Sequence, residues 1–142
     1  MVPLLLHRWW VVLLFYAGTA FALGLLLSVV FQLAHCVGEA TFLTSSPETR
    51  ELPRSWAVHQ VQTTVDFARG NRLLGWYVGG LNFQIEHHLF PAICHVHYPA
   101  ISGIVQAVCA DFGIPYAAHE SLLGAIASHG RWLSRMALAE RS

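Results

Sequence analysis

The longest uninterrupted apolar stretch lies close to the start of the chain. Residues 9–34, WWVVLLFYAGTAFALGLLLSVVFQLA, hold no charged side chain. They predict one helix of about 39 Å at 1.5 Å per residue, enough to cross a hydrocarbon core of about 30 Å with some tilt. Trp9, Trp10 and Tyr16 cluster near one end, where amphipathic rings favour the membrane interface. Two rival readings are a secretory signal and the core helix of a soluble protein. The run is too long for a signal core, and no A-x-A cleavage site follows it. Gly18 and Ala22 form a small-xxx-small pair with Gly24 close by, a surface that admits another helix in lipid. No second convincing span follows, so the expected packing partner is a missing segment or another chain.

Beyond residue 34 the pattern becomes mixed. His35 and Glu39 are four apart and share a face if the helix continues; they read either as a helix-terminal ion pair or as part of a site. Residues 44–53, TSSPETRELP, carry two prolines and alternating charge and predict a loop. Helical spacing returns over residues 54–68, with Pro53 suited to its first turn. His59, Gln62, Thr63 and Asp66 follow i, i+3, i+4, i+7 and predict a polar stripe. Gly70-Asn71 signals a turn. Residues 73–90 are apolar but interrupted by Gly75, Gly79 and Gly80, which predicts a helix partly entering the membrane or a close backbone approach at the glycine pair. From Pro99, the residues Ile101, Ile104, Val105, Val108 and Phe112 predict an amphipathic helix stopped by Gly113 and Pro115. A last helix is expected over residues 121–139, with Leu122, Leu123, Ile126, Leu133 and Met136 on one side. Arg131, Arg135 and Arg141 suit it to a membrane surface or to packing on the rest of the chain.

Composition sharpens this picture. The 142 residues are 55% hydrophobic and 11% charged, against about 25% charged in ordinary globular proteins. Net charge is zero, which argues against a nucleic-acid partner. Cys36, Cys94 and Cys109 are odd in number and form no CxxC pair, so they read as small apolar residues in a reducing compartment.

Candidate chemistry concentrates in residues 79–100, GGLNFQIEHHLFPAICHVHYPA, which hold four of the nine histidines. With residues 84–89 helical and ended by Pro91, Gln84, His87 and His88 crowd one side. His87 and His88 differ by about 100° around the axis. Adjacent histidines on one helix cannot easily bind the same ion, but each can reach a different ion of a two-metal site. Glu86 points away from Gln84 and is placed to orient an imidazole from behind. Imidazole suits iron, zinc, copper and nickel, and the zinc-protease pattern HExxH is absent. A zinc site from His87, His88, His95 and His97 is one rival; histidines packed in a turn are the other.

GGLNFQIEHHLFP closely resembles the third histidine box of membrane fatty acid desaturases. Glutamine in the first place, Q-x-x-H-H, resembles the front-end acyl-lipid or acyl-CoA branch. FQLAHC, HQVQTTVDFA, NRLLGWYVGGLN, HVHYPAI and FGIPY are similar to bacterial members, and the resemblance runs to about Tyr116. It implies an integral membrane enzyme with a histidine-held di-iron centre that uses O2 to place a cis double bond in a fatty acyl lipid or acyl-CoA. A ferredoxin or a b-type cytochrome would supply electrons. It implies His87 and His88 as iron ligands and, more loosely, His59. Gln84 takes the place held by histidine in other desaturases. Glu86, His35, His95 and His97 are expected near the metal or behind its ligands.

The family pattern also has two earlier boxes, H-x-x-x-H and H-x-x-H-H, and this sequence contains neither. The resemblance therefore implies a C-terminal portion of a desaturase, starting just before its last span and needing the missing N-terminal part. The alternative is a non-catalytic membrane protein or subunit that keeps a desaturase-like remnant and binds at most one metal. The expected fold class is all-α: an integral membrane helical protein with one transmembrane helix, at about 9–34, and a cytosolic helical region. The histidine-box region falls at about 54–98. The desaturase part is expected over residues 1–116 and a C-terminal amphipathic helix over 117–142. The site must meet a cytosolic electron donor, which sets the orientation in a bacterial inner membrane. Most arginines also follow the span.

Overall fold

The computed structural model describes residues 2–41 and 55–139. The loop expected at 44–53, Pro53, Arg54 and Arg141 lie outside the described residues. Two units are distinguishable, Met1–Val30 and Phe31–Ser142.

The first unit contains a short helix α1, Val2–Leu6, and most of α2, Trp9–His35. The observed limits of α2 match the charge-free run to within one residue. Nearly every side chain on its first six turns is exposed, including Leu13, Leu14, Phe15, Phe21 and Leu25. By length and composition this helix is long and apolar enough to cross a membrane.

The second unit begins with the last turn of α2. The α2 ladder ends with Cys36 N–H donating to Gln32 O at 2.9 Å. His35 and Glu39 therefore do not share a helix face. Helix α3, Trp56–Thr63, is shorter than its spacing predicts. Thr63, Thr64 and Val65 are β-branched in succession, which disfavours continuing the helix. Thr64 is extended, with φ −131° and ψ 146°. The freed backbone finds other partners: Val65 N–H donates to Ala34 O at 2.9 Å and Phe67 N–H to Asn82 O at 3.1 Å. Asp66–Phe67 forms β1, paired in parallel with β2, Ala118–His119. The unit is thus helical with one short parallel pair rather than purely helical. Asp66 leaves the predicted polar stripe and becomes fully buried.

Residues 73–90 do not form one helix. Asn71 caps α4, Arg72–Tyr77, by accepting from Leu74 N–H at 3.0 Å. The chain then reverses through Gly79 and Gly80, at φ +62° and +77°, a conformation that glycine adopts without steric cost. Helix α5, Gln84–Leu89, follows and stops before Pro91, as its sequence predicts. A 3-10 turn, His95–His97, leads into α6, Tyr98–Asp111. Gly113 at φ +64° ends α6, and Ile114 N–H bonds back to Cys109 O at 2.8 Å. Helix α7, Leu122–Ala139, closes the described chain.

The core that holds α5 consists of Val61, Ile85, Val105 and Cys109, with Leu89, Ile101, Ile114 and Tyr116 packed against it. The buried face of α6 is Tyr98, Ser102, Val105 and Cys109. Ile104, Val108 and Phe112, expected on the core stripe, are exposed instead. Helix α7 likewise buries Ala125 and Ser128, while Leu123, Ile126, Leu133 and Met136 face outward. All three cysteines are free, but the expectation of small apolar core residues holds for Cys109 alone, since Cys36 is half-buried and Cys94 is exposed.

Candidate metal centre

Helix α5 presents the histidine pair because its opposite side is anchored. Ile85 is fully buried in the core. Its N–H donates to Asp66 Oδ1 at 3.0 Å, so a side chain from β1 satisfies a free amide at the start of α5. Gln84 and Glu86 are also fully buried, and His87 and His88 are half-buried.

Three imidazoles come together. The His87 and His88 rings lie 5.9 Å apart at 76°, and His35 meets His88 edge-on at 5.1 Å. His35 is brought there by the end of α2, where its ring stacks on Phe31 at 6.3 Å. Its Nδ1 lies 3.5 Å from Thr63 O. The expected His35–Glu39 pairing does not form. Glu39 accepts a hydrogen bond from Ser128 Oγ and lies 3.4 Å from His119 Nε2. The α2 helix has already ended, so Glu39 projects toward α7 and β2. His87 Nδ1 approaches the Tyr98 hydroxyl at 3.4 Å.

Several buried polar atoms here have no hydrogen-bond partner among the described residues: His88 Nε2, His59 Nδ1 and both amide atoms of Gln84. Buried polar groups are nearly always satisfied, so such a group asks for a ligand, an ion or water. Burial holds the His88 ring below the usual histidine pKa, and neighbouring His35 and His87 push the same way. A neutral ring keeps a lone pair for coordination. Imidazole and carboxamide donors of this kind fit a first-row metal such as iron. Among the described residues, no group of three or more histidine, cysteine or acidic side chains is arranged to hold a metal ion. The imidazoles of His35, His87 and His88 converge without completing such a group.

Other expected site residues stand differently. His59 lies on α3, which packs against α5, but it makes no ring contact with His87 or His88 among the described residues. His95 and His97 sit exposed in the 3-10 turn. His95 packs on Gly80, where a Cβ would fall 2.6 Å from the His95 Cβ. This is the close approach expected at the glycine pair. Glu86 does not orient an imidazole; it faces the opposite way, into the core.

There it meets a buried network absent from the sequence reading. The Tyr116 hydroxyl lies 2.6 Å from Asp66 Oδ2 and 2.9 Å from Glu86 Oε1. A hydroxyl carries one hydrogen, so it donates to one carboxyl at a time, and Asp66 and Glu86 also bond to each other. Burial raises both carboxyls, and Glu86, facing Asp66, is pushed up to about 8. Arg69 lies over the Tyr116 ring at 5.2 Å. Asp66 and Tyr116 are 50 residues apart, and no local pattern joins them.

The family model for fatty acid desaturase matches residues 1–120. The sn-1 linoleoyl-lipid 6-desaturase of Arthrospira platensis is 50% identical over 115 residues, 81% of this chain and 31% of that protein. The enzyme of the same name from Synechocystis is 42% identical over 116 residues, 82% of this chain and 32% of that one. An acyl-lipid (8-3)-desaturase of Physcomitrium patens is 42% identical over 125 residues, covering 88% and 26%. The chain thus spans about a third of the length of these curated relatives. No solved structure matches it. With the family match covering most of the chain and the histidine pair set on its own short helix, this protein belongs to the fatty acid desaturase family.

Proposed function

We propose that this chain supplies one wall of the di-iron site of a membrane acyl-lipid desaturase, with the earlier histidine boxes contributed by the N-terminal part of such an enzyme. The observation that carries this reading is the convergence of His87, His88 and His35 beside a buried, unpartnered Gln84. His87 and His88 are the proposed ligands, one for each iron. His59 is a further candidate, its free buried nitrogen on the helix that packs against α5. His35 and Gln84 line the same wall. Bound there, iron would supply the O2 activation that removes two hydrogens from adjacent methylenes. The chain's own part is to hold the imidazoles at fixed angles, with Tyr98 steadying His87 and Asp66 anchoring the helix. An acyl lipid is the proposed substrate, following the names of the relatives, and a ferredoxin or b-type cytochrome the proposed donor.

Helix α2 is the proposed membrane span. It has 27 residues, a mean hydropathy of 2.1 and no buried side chain in its most apolar window. The segments after it are proposed to face the cytosol, with residues 1–116 as the desaturase part and 117–142 as an appended helix. The lack of a complete donor set among the described residues also favours a second reading, a remnant that binds at most one metal.

One experiment separates the two. The chain is fused to or co-expressed with a segment carrying H-x-x-x-H and H-x-x-H-H, in a host lacking the product. A new unsaturated fatty acid by gas chromatography, with about two irons per protein, is expected. Replacing His88 by Ala should abolish both. Product made at the normal level by H88A would remove His88 from the site, and no product with one metal would favour the remnant.

A further inference from the structure

A second pocket opens at the start of α5, away from the histidine pair. It has a volume of about 540 Å³ and is lined by Arg69, Arg72, Trp76, Gly80, Phe83 and His95, among others. Among the described residues, no carboxylate lines it. We infer that this pocket binds a phosphate group, carried by the acyl substrate as a lipid headgroup or as part of a soluble carrier.

Arg69 is held in place before any ligand arrives. Its Nη1 donates to Gln106 Oε1 at 3.3 Å and to the Tyr116 hydroxyl at 3.4 Å, and its guanidinium lies over the Tyr116 ring. One Nη is committed to these partners. The remaining guanidinium N–H groups have no hydrogen-bond partner among the described residues. Asp66, a carboxylate that attracts Arg69, is fully buried beneath Tyr116 and closed to the pocket. Arg72 enters three residues later because Gly70-Asn71 turns the chain, and Asn71 starts α4 at that point. His95 completes the wall from the 3-10 turn. Its position depends on Gly80, since a side chain there would collide with it.

Two guanidinium groups and an imidazole around one cavity match the several acceptor oxygens of a phosphate. A cavity of this size takes a small headgroup rather than a lone ion. Phe83, immediately before Gln84, lines the same pocket. A carrier seated there would be anchored at the N-terminal end of the helix that bears the histidine pair. The inference rests on the desaturase reading for the identity of the carrier; the binding itself requires no metal.

The test uses the purified chain in a neutral sugar detergent. Dihexanoyl phosphatidic acid, coenzyme A and poly-glutamate are titrated separately. Saturable binding of phosphatidic acid or coenzyme A is expected, weakened about ten-fold or more by R72Q and largely kept by R72K. Phosphatidic acid binding alone would assign a lipid headgroup, and coenzyme A binding alone a soluble carrier. No saturation by either, or equal affinity in R72Q, would overturn the inference. Saturation by poly-glutamate but by neither phosphate probe would overturn it in favour of an acidic protein partner. The desaturase reading is tested apart from this, by iron content and product in the chain fused to a segment carrying H-x-x-x-H and H-x-x-H-H. Absence of iron and product there, with phosphate binding intact, would count against the desaturase reading and leave the pocket standing.

Discussion

At the scale of single residues, the chemistry of this chain is arranged around shared hydrogens and close contacts. Tyr116 bridges two buried carboxyls that would otherwise face each other across a low-dielectric core. Tyr116→Phe removes that bridge while keeping the ring under Arg69. It should destabilise the protein by about 1–3 kcal/mol, read from thermal unfolding in micelles. An unchanged midpoint would mean that the carboxyls satisfy each other without the hydroxyl. Gly80 is constrained twice, by its φ of +77° and by the His95 Cβ. Gly80→Ala should cost about 1–3 kcal/mol, and removing the His95 side chain in the same chain should recover only the steric part. Full recovery would show that the backbone conformation carries no cost. His119 and His129 serve the packing of α7 and the turn after α2, through Glu39 and Cys36 O. Their replacement by Ala should lower stability without removing metal binding, in contrast to His88→Ala, as metal content measured beside the unfolding midpoint would reveal.

At the scale of elements, local pattern decides most limits. The α2 run, the stop of α5 before Pro91 and the end of α6 at Gly113 all follow from apolar length, proline and glycine. The element that departs is α3, where the polar stripe suggests one more turn. The succession Thr63, Thr64, Val65 turns the backbone extended, and Asp66 gains a partner strand from residue 118 onward. That departure places Asp66 beneath Ile85, so the irregular element is the one that anchors the histidine helix. If α2 spans the membrane with the rest of the chain in the cytosol, Cys94, which is exposed, should resist a membrane-impermeant thiol reagent in intact cells. It should react once the membrane is opened. Labelling in intact cells would reverse the orientation.

At the scale of the whole molecule, the proposed metal wall is one-sided among the described residues. The chain offers His87, His88, His35 and Gln84 on one side, with no complete metal-binding group among the described residues. By itself it should hold less than one tightly bound iron and make no unsaturated product, because affinity follows ligand count and geometry. Iron analysis and fatty acid profiling of the 142-residue chain in a desaturase-free host provide the check. A product there would show that the wall is sufficient. The uncovered apolar faces of α6 and α7 fit the same picture, since Ile104, Val108, Phe112, Leu123 and Leu133 are exposed.

The sequence by itself determined the membrane-length helix, most helix limits, the histidine pair and the family. Those depend on hydrophobic run length, on proline and glycine stereochemistry, and on a box of adjacent residues, all local properties. Only the tertiary structure decided that His35 faces His88, that Glu86 turns inward to Tyr116, and that Arg69, Arg72 and His95 share a pocket. Each of these joins side chains from separate elements. Their meeting depends on where α3 unwinds and where Gly79 and Gly80 reverse the chain, and neither event has a signature at the residues that are brought together.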